Sequence, residues 1–293
     1  MLPRHLLFVM RISYFTERTV LITGASAGIG YEFARQLAPV AGTMVLVARR
    51  NDRLETLKSD LQSINPKLKL FSRPLDLRDK NELQRFCDWL DQRDLAIDLL
   101  INNAGLGDHG PFVDSEWERV NSMLQVNVYA LTYLTFRVLP AMRKAKSGAI
   151  LNVSSIASLL PLPNSAVYAA TKAYVTNFSE AIRAELRSSN ISVTALCPGP
   201  VSTEFLSLAT RGDDHQSHTA PDSFIVPVQE VVRQGLEAVT KQRARVVPGA
   251  IVNFAMTMVA FLPMFIKRLV YNARVKRGSV LGVASDAPPA GRH

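Results

Sequence analysis

The residues best suited to chemistry are Tyr168 and Lys172, four apart in Tyr-Ala-Ala-Thr-Lys, and the serines Ser154 and Ser155 that end an apolar run at 149–153. On a helix, a four-residue spacing places the phenol and the ammonium on one face. Tyrosine is a poor acid at its ordinary pKa of about 10, but a neighbouring Lys⁺ favours the phenolate. The pattern predicts a tyrosine tuned for proton transfer, with a serine hydroxyl to hydrogen-bond the oxygen that exchanges the proton.

A second candidate site lies near the start of the chain. Gly24, Gly28 and Gly30 separate a β-branched apolar run at 19–23 from a helical pattern that begins at Tyr31. Strand, glycine turn and helix in this order can cradle a pyrophosphate, because glycine permits close backbone approach and the helix N-terminus offers free N–H groups. An ordinary tight turn is the alternative, but the alternating pattern that follows favours a dinucleotide site.

The elements that must position these residues alternate along the chain. We predict strands at 19–23, 43–48, 69–72, 97–101, 148–153, 191–196 and 244–247, and helices within 53–64, 81–91, 114–144 and 165–188. Such alternation predicts an α/β fold, a Rossmann-type doubly wound parallel sheet of about seven strands with helices on both faces. The carboxyl ends of its strands would open toward the ligand, which brings Ser155 to the same edge as the glycines.

The end of the second predicted strand indicates which dinucleotide binds. A carboxylate in this region commonly holds the ribose 2′-hydroxyl of NAD, but here the strand ends in Arg49 and Arg50. A guanidinium favours the 2′-phosphate of NADP. We therefore predict NADP(H), with NAD(H) as the weaker alternative; the other interpretation is that both arginines are solvated residues at a helix entry.

Taken together, these motifs resemble the short-chain dehydrogenases/reductases, in the subgroup with a Thr-Gly-x-x-x-Gly-x-Gly motif. The resemblance covers about residues 16–248. It rests on residues 23–30, Asn-Asn-Ala-Gly at 102–105, Asn127, Ser155, the Tyr168/Lys172 pair and Pro-Gly-Pro-Val-Ser-Thr at 198–203. It implies an oxidoreductase that moves hydride between a nicotinamide and a carbonyl or secondary alcohol.

The resemblance also implies individual roles. Tyr168 would be the acid/base, Lys172 would hold the nicotinamide ribose and lower the tyrosine pKa, and Ser155, rather than Ser154, would orient the substrate. Asn127 would support a water-mediated proton relay to Lys172, or else bend its helix as a structural residue. The implied cofactor-binding residues are Gly24, Ser26, Gly28, Ile29, Gly30, Arg49, Asp76 at the adenine edge, Asn103, Ala104, Gly105, Tyr168, Lys172, Pro198, Gly199, Val201 and Thr203 near the carboxamide.

One position departs from the family pattern. Many NADP-preferring relatives carry a basic residue just before the second glycine of the motif, where this chain has Ala27. The preference for NADP(H) then depends on Arg49, with help from Arg50 and the Ser26 hydroxyl.

Composition excludes several classes of protein. The chain has 293 residues, a net charge of +9 and two distant cysteines, which indicate neither a disulfide framework nor a metal pair and fit a reducing, cytoplasmic location. His215 and His218 have metal-like spacing but no third ligand, so we predict no metal. No basic motif is interleaved with aromatic residues, so we predict no nucleic-acid partner. His109, after the Asn-Ala-Gly segment, is expected to be solvated.

The C-terminal region is the least typical part of the chain. Residues 246–266 carry no charge, and residues 267–293 hold six basic residues and one acidic residue. We expect a final strand near 245, then a hydrophobic helix within 250–266, interrupted at Asn253 and broken at Pro263. It would cover the pocket or a second subunit, lie on a membrane surface through 250–277, or, least favoured, span a bilayer.

These features divide the chain into four parts. We predict an N-terminal extension at 1–15 that packs on the domain, a catalytic dinucleotide-binding domain at 16–248, an apolar and basic extension at 249–282 and a disordered tail at 283–293. Residues 207–224 are predicted to form a polar surface loop.

The predicted function is interconversion of a carbonyl and a secondary alcohol, on an apolar or lipid-like small molecule if the extension borders the pocket. The alternative is an NADP(H)-binding regulatory or scaffold protein without turnover. Family resemblance implies a homo-oligomer in the cytoplasm, with peripheral contact to the cytoplasmic membrane face as a further expectation.

Overall fold

A computed structural model describes residues 12–211, 224–263 and 265–268. Its strands are β1 (Thr19–Thr23), β2 (Thr43–Ala48), β3 (Lys69–Pro74), β4 (Leu99–Asn102), β5 (Gly148–Val153), β6 (Ile191–Leu196) and β7 (Arg245–Val246). They form one sheet in the order β3-β2-β1-β4-β5-β6-β7, and every pairing is parallel. The strand order reverses between β1 and β4, which is where an open α/β sheet forms its ligand crevice.

Helices connect the strands and cover both faces of the sheet. They are α1 (Gly28–Leu37), α2 (Asn51–Ile64), α3 (Lys80–Gln92), α4 (Trp117–Leu124), α5 (Leu131–Ala145), α6 (Ala166–Glu185), α7 (Glu204–Ala209), α8 (Val228–Thr240) and α9 (Ala250–Phe261). A π-helical turn, Gln125–Ala130, joins α4 to α5. The predicted fold class is confirmed.

Two hydrophobic cores lie on opposite faces of the sheet. One contains buried residues of α1, α2 and α8, and the other contains buried residues of α3, α5 and α6. Successive residues of β1 alternate between them, since Val20 and Ile22 belong to the first core and Leu21 to the second. This alternation explains why the central strand β1 and its neighbour β2 are apolar at nearly every position.

The ends of the predicted catalytic domain contribute to the same core. Phe15 is fully buried in the first core, and Val252 of α9 is fully buried there as well. The core therefore begins before residue 16 and continues past residue 248. The apolar run at 6–10 and the predicted tail at 283–293 lie outside the described residues.

Three local predictions are wrong. The pattern at 114–144 is not one regular helix, because the π-helical turn separates α4 from α5. Residues 207–209 are not loop, because α7 extends to Ala209; Thr203 precedes this helix, and its hydroxyl accepts a hydrogen bond from the N–H of Phe205 at 3.4 Å. Most of the remainder of 207–224, including His215 and His218, lies outside the described residues.

The third error concerns α9. Asn253 does not interrupt this helix, because its N–H donates to the carbonyl of Gly249 at 2.9 Å; the chain instead becomes extended at Leu262, the residue before Pro263. Ile251, Phe254, Met258 and Phe261 are exposed on α9. Within the described ranges, no helix is long and apolar enough to cross a bilayer.

Candidate active site

A cavity of about 740 Å³ lies at the carboxyl ends of the strands. The glycine turn after β1, the end of β2 and the end of β4 line one part, and the residues after β5 and β6 line the other. Most of the predicted site residues meet here, namely Gly24, Ser26, Gly28, Ile29, Arg49, Asp76, Asn103, Ala104, Gly105, Ser155, Tyr168, Lys172, Pro198, Gly199, Val201 and Thr203. Gly30 and Asn127 do not line the cavity.

The glycine turn leaves the start of α1 open toward the cavity. Gly24 has φ +67°, and a Cβ there would lie 2.8 Å from Nδ2 of Asn103 and 2.9 Å from Cα of Ala104. Ala27 is the N-cap residue of α1, and within the described residues no side chain accepts a hydrogen bond from the first N–H groups of this helix. The first turn of α1 also contains no acidic residue. The first N–H groups therefore remain available to an anion, as a pyrophosphate requires.

Gly30 contributes to this turn from behind. A Cβ at Gly30 would collide with the carbonyl oxygen of Gly24 and with the side-chain amide of Asn103. The third glycine of the motif is thus needed for close packing of α1 against the turn.

Hydrogen bonds between the end of β1 and the residues that follow β4 fix the shape of the turn. The hydroxyl of Thr23 accepts hydrogen bonds from the N–H groups of Asn103 and Ala104, each at 3.0 Å. The Asn103 side chain donates in return to the carbonyls of Thr23, at 2.9 Å, and Gly24, at 3.2 Å. Asn103 therefore holds the glycine turn in place as well as lining the cavity.

The end of β2 supplies the positive charge. Arg49 is exposed at the cavity and forms no ion pair within the described part of the chain. Arg50 donates to the Ser26 hydroxyl at 3.4 Å and to the carboxylate of Glu204 at 3.0 Å. Arg49 is therefore not neutralised by a direct ion pair among the described residues, although it lies close enough to Asp76 to lower the pKa of that carboxyl group.

Asp76 lies on the same side of the cavity but is already paired. Arg78 donates to both of its carboxylate oxygens, with the shortest contact at 2.6 Å. These hydrogen bonds hold the pKa of Asp76 below its ordinary value. Asp76 therefore lines the cavity as an ionised carboxylate oriented by Arg78.

At the other end, α6 presents Tyr168 and Lys172 beside Ser155. Lys172 is only 4% exposed, and its Nζ donates to the carbonyl of Val153 at 2.9 Å. Burial lowers the pKa of Lys172 to about 8. Nζ also lies 5.9 Å from the centre of the Tyr168 ring. Tyr168 and Lys172 therefore lie on one face of α6, as their spacing predicts.

The pKa of Tyr168 differs from the sequence-based expectation. Burial raises the pKa, and a hydrogen bond with Ser155 lowers it only in part. We predicted a lowering by Lys172. The Lys172 ammonium donates to the Val153 carbonyl, and burial of the phenol sets the direction of the shift.

The two adjacent serines have different surroundings. The Ser154 hydroxyl is buried, donates to the carbonyl of Lys172 at 2.9 Å and lies 2.7 Å from the Thr176 hydroxyl. Ser155 lines the cavity, and its hydroxyl accepts from the N–H of Ala157 at 3.1 Å. Both serines line the cavity, but the Ser154 hydroxyl is occupied by its contacts with α6, so Ser155 is the better placed of the two to bind a ligand.

Asn127 lies one layer behind the cavity, inside the π-helical turn. Its amide nitrogen donates to the carbonyl of Leu106 at 2.9 Å and to the Thr171 hydroxyl at 3.0 Å, and its oxygen accepts from the Leu106 N–H at 2.8 Å. The side chain thus joins α6 to the segment after β4. These contacts fix the backbone beside Lys172.

The wall opposite Tyr168 is apolar and was not predicted. The Phe205 ring lies 5.7 Å from the Tyr168 ring, between centres. Other apolar side chains that line this end are Leu106, Ile156, Ala157, Leu162, Leu206 and Leu208. Their sequence pattern resembles that of ordinary core residues, so no sequence signal distinguishes them.

Hydrogen bonds and ion pairs link the two segments that form this wall, one after β4 and one at the end of α7. Asp108, 7% exposed, accepts hydrogen bonds from two nitrogens of Arg211, one of them Nε at 2.8 Å, and lies 3.4 Å from Nε of Arg119. The N–H of His109 donates to the carbonyl of Ala209 at 2.9 Å, and its Nδ1 lies 3.0 Å from the Ser165 hydroxyl. His109 is therefore part of the support for this wall and does not line the cavity.

Two further expectations concern groups outside the cavity. No α9 residue lines it, so the described part of the C-terminal extension does not act as a pocket cover. No cluster of three metal-ligating side chains occurs among the described residues.

Comparison with known proteins adds a family match. The short chain dehydrogenase family model matches residues 18–213. The chain is 34% identical over 200 residues to sulfoacetaldehyde reductase 2 of Chromohalobacter salexigens, which covers 68% of this chain and 78% of the relative. It is 35% identical over 204 residues to the NADP-dependent 3-hydroxy acid dehydrogenase of Salmonella typhi, which covers 68% and 79%.

Solved structures agree with these relatives. A short-chain dehydrogenase from Sphingobium yanoikuyae in complex with NADPH matches with a TM-score of 0.74 and 29% identity, covering 94% of this chain and 98% of that chain. A closed form of serine dehydrogenase complexed with NADP⁺ matches with a TM-score of 0.66 and 30% identity, covering 79% and 93%.

Proposed function

The chain belongs to the short-chain dehydrogenase family, and from this membership and the geometry of its cavity we propose that it is an NADP(H)-dependent oxidoreductase that interconverts a carbonyl and a secondary alcohol. The observation that carries the proposal is the meeting of Tyr168, Lys172 and Ser155 in one cavity with an open glycine turn. When bound, NADPH supplies a hydride and NADP⁺ accepts one.

The residues at the glycine end fit this cofactor. The free N–H groups at the start of α1 suit a pyrophosphate, and Arg49 and Arg50 suit a 2′-phosphate. The residues that directly follow β2 are Arg49 and Arg50, not the carboxylate that would favour NAD(H). NADP(H) therefore fits better than NAD(H).

Tyr168 is the proposed acid and base. In reduction its hydroxyl donates a proton to the carbonyl oxygen, and in oxidation its phenolate removes the proton from the alcohol. A well-placed group of this kind contributes roughly 10²–10⁴-fold to the rate. Ser155 hydrogen-bonds the same substrate oxygen, which keeps that oxygen near the phenol.

Lys172 and Asn127 support this proton transfer. The ammonium of Lys172 stabilises the phenolate of Tyr168, and its donation to the Val153 carbonyl fixes its position. The side-chain contacts of Asn127 to Leu106 and Thr171 hold the backbone around the ammonium. We propose that Asn127 acts in this way on the relay that returns a proton to Tyr168.

The proposed substrate is an apolar or lipid-like carbonyl compound or alcohol. Phe205, Leu162 and Ile156, with other aliphatic side chains, form the wall near Tyr168. Removal of an apolar substituent from water favours binding in such a pocket.

The test is NADPH oxidation by the purified protein with a panel of ketones and aldehydes, compared between the parent and Tyr168→Phe. We expect a loss of at least about 100-fold in kcat/KM with unchanged NADPH binding, because phenylalanine keeps the ring contact with Phe205. Tyr174→Phe is the matched control, since Tyr174 lies on the same helix and its hydroxyl contacts Thr132 at 2.9 Å outside the cavity. Equal rates in the parent and Tyr168→Phe would refute the mechanism, and tight NADPH binding without turnover would favour the regulatory alternative.

We further propose a contact between α9 and an anionic lipid surface, with the protein in the cytoplasm. Phe254 and Phe261 are 66% and 80% exposed, and Lys267 and Arg268 follow the helix. An exposed apolar helix followed by basic residues suits a lipid headgroup region. We expect the double variant Phe254→Ser/Phe261→Ser to co-sediment less with phosphatidylserine vesicles than the parent does. If the parent instead binds no vesicles but self-associates with rising concentration, and the variant does not, this face is a contact between copies in a homo-oligomer.

A further inference from the structure

A bridge between two arginines and one carboxylate crosses the rim of the cavity. Glu204, the first residue of α7, accepts from Arg53 at 2.6 Å and from Arg50 at 3.0 Å. Within the described residues, no other carboxylate lies within 4 Å of either guanidinium. The bridge connects α2, which follows β2, to the helix that carries Phe205 and Leu206 into the substrate end.

Arg50 contacts both α7, through Glu204, and the glycine turn, through Ser26. Its other terminal nitrogen, Nη2, lies 3.4 Å from the hydroxyl of Ser26 in the glycine turn. Arg50, Ser26 and Glu204 all line the cavity. A carboxylate is therefore bound to one of the two guanidinium groups that a 2′-phosphate would use.

The bridge is suited to exchange. The side chains of Glu204, Arg50 and Arg53 are 47%, 40% and 41% exposed, and ion pairs at this exposure contribute little to stability. A phosphate monoester carries more charge than a carboxylate and is a stronger partner for arginine. The two anions also repel each other, so both cannot bind Arg50 at full strength.

We propose that Glu204 is a cofactor-discriminating residue whose carboxylate competes with the 2′-phosphate of NADP(H) for Arg50, so that phosphate binding loosens α7. This inference rests on the proposed use of NADP(H). Glu204 keeps its contact with Arg53 when Arg50 turns away, so α7 is loosened and not released. The consequence is a link from the adenosine end of the cofactor to the wall that packs against Tyr168.

The first experiment measures binding of two cofactor fragments, 2′,5′-ADP and 5′-AMP, by isothermal titration calorimetry. We expect Glu204→Gln to bind 2′,5′-ADP about three- to tenfold more tightly than the parent, with 5′-AMP affinity unchanged, because only the former carries the competing charge. Glu55→Gln is the matched control, since Glu55 is 50% exposed on α2 and pairs with Lys58 away from the cavity. This control should leave both affinities unchanged.

The second experiment follows hydrogen exchange of the backbone amides at 204–209, a readout independent of turnover. In the parent, 2′,5′-ADP should speed exchange in α7 relative to 5′-AMP, although neither fragment contains nicotinamide. In Glu204→Gln, exchange should already be fast, and the two fragments should give equal rates.

The outcomes separate this inference from the proposed function. If the parent binds NADPH and 2′,5′-ADP but Glu204→Gln binds 2′,5′-ADP equally or more weakly, the competition is refuted while the oxidoreductase proposal stands. If the parent binds neither NADPH nor 2′,5′-ADP, both proposals fail. If affinity rises as expected but exchange in α7 does not respond to the 2′-phosphate, the link to the substrate wall is refuted.

Discussion

Replacement of Lys172 by methionine should stabilise the fold near neutral pH while removing turnover. Lys172 is 4% exposed, and burial lowers its pKa from 10.5 to about 8. A cation whose pKa falls on folding binds fewer protons in the native state than in the unfolded chain. The free energy of unfolding of the parent therefore carries a penalty below pH 8, and this penalty disappears as the pH rises toward 10.5.

The size of the effect follows from the two pKa values. The lower native pKa corresponds to a penalty of roughly 3 kcal/mol at low pH, because each pKa unit is worth about 1.4 kcal/mol. Linkage reduces the penalty from roughly 3 kcal/mol at pH 7 to roughly 1 kcal/mol at pH 10. Loss of the hydrogen bond to the Val153 carbonyl opposes the gain by about 1–3 kcal/mol, but that cost does not depend on pH.

The measurement is urea unfolding of the parent and Lys172→Met at pH 7, 8, 9 and 10. The difference between the two free energies of unfolding should move by roughly 2 kcal/mol across this range, in favour of the parent as the pH rises. Lys144→Met, at an exposed lysine of α5, serves as the control and should give a flat difference. A difference for Lys172→Met that stays constant within about 0.5 kcal/mol would refute the argument that burial of the ammonium opposes folding.

Three further predictions test other parts of the site. Gly30→Ala should destabilise the fold by roughly 1–3 kcal/mol and weaken NADPH binding, because a Cβ collides with the Gly24 carbonyl; an unchanged melting temperature would contradict this packing role. Arg49→Ala should weaken NADPH binding at least about tenfold in a fluorescence titration but leave NADH binding nearly unchanged; an equal loss for both cofactors would place the 2′-phosphate elsewhere. Asp108→Asn should lower the free energy of unfolding by about 2 kcal/mol at pH 7, because Arg211 loses its buried partner. Hydrogen bonds from Arg211 hold the pKa of Asp108 below its ordinary value. The contribution of the ionised Asp108 to the free energy of unfolding is therefore present above the unfolded pKa and lost as the pH falls through the folded pKa. The acid denaturation curves of parent and variant should converge at low pH.

Features encoded by neighbouring residues could be predicted from the sequence. The apolar run of β1, the glycines after it and the start of α1 are contiguous, so the phosphate-binding turn is visible as one pattern. Tyr168 and Lys172 share a helix face through their four-residue spacing. The alternating apolar runs predicted the parallel sheet, because each run must be buried on both faces.

Features that depend on distant contacts could not be predicted. Arg50 and Glu204 are 154 residues apart in sequence, and their contact exists only because the end of β2 and the helix after β6 meet at one rim. The direction of the Tyr168 pKa shift depends on how deeply the phenol is buried, which the four-residue spacing does not specify. The positions of Gly30 and Asn127 behind the cavity wall depend likewise on packing against Gly24 and Leu106.

The hydrogen bonds between Thr23 and the Asn103 segment determine whether the glycine turn can form. The donors that hold the turn come from residues 80 and 81 positions further along the chain. A peptide containing only residues 19–37 would therefore lack the groups that shape its glycine loop, even though its sequence contains the whole motif. The glycine loop can take this shape only where β4 lies beside β1, so grafting the motif onto another scaffold would require the asparagine segment as well.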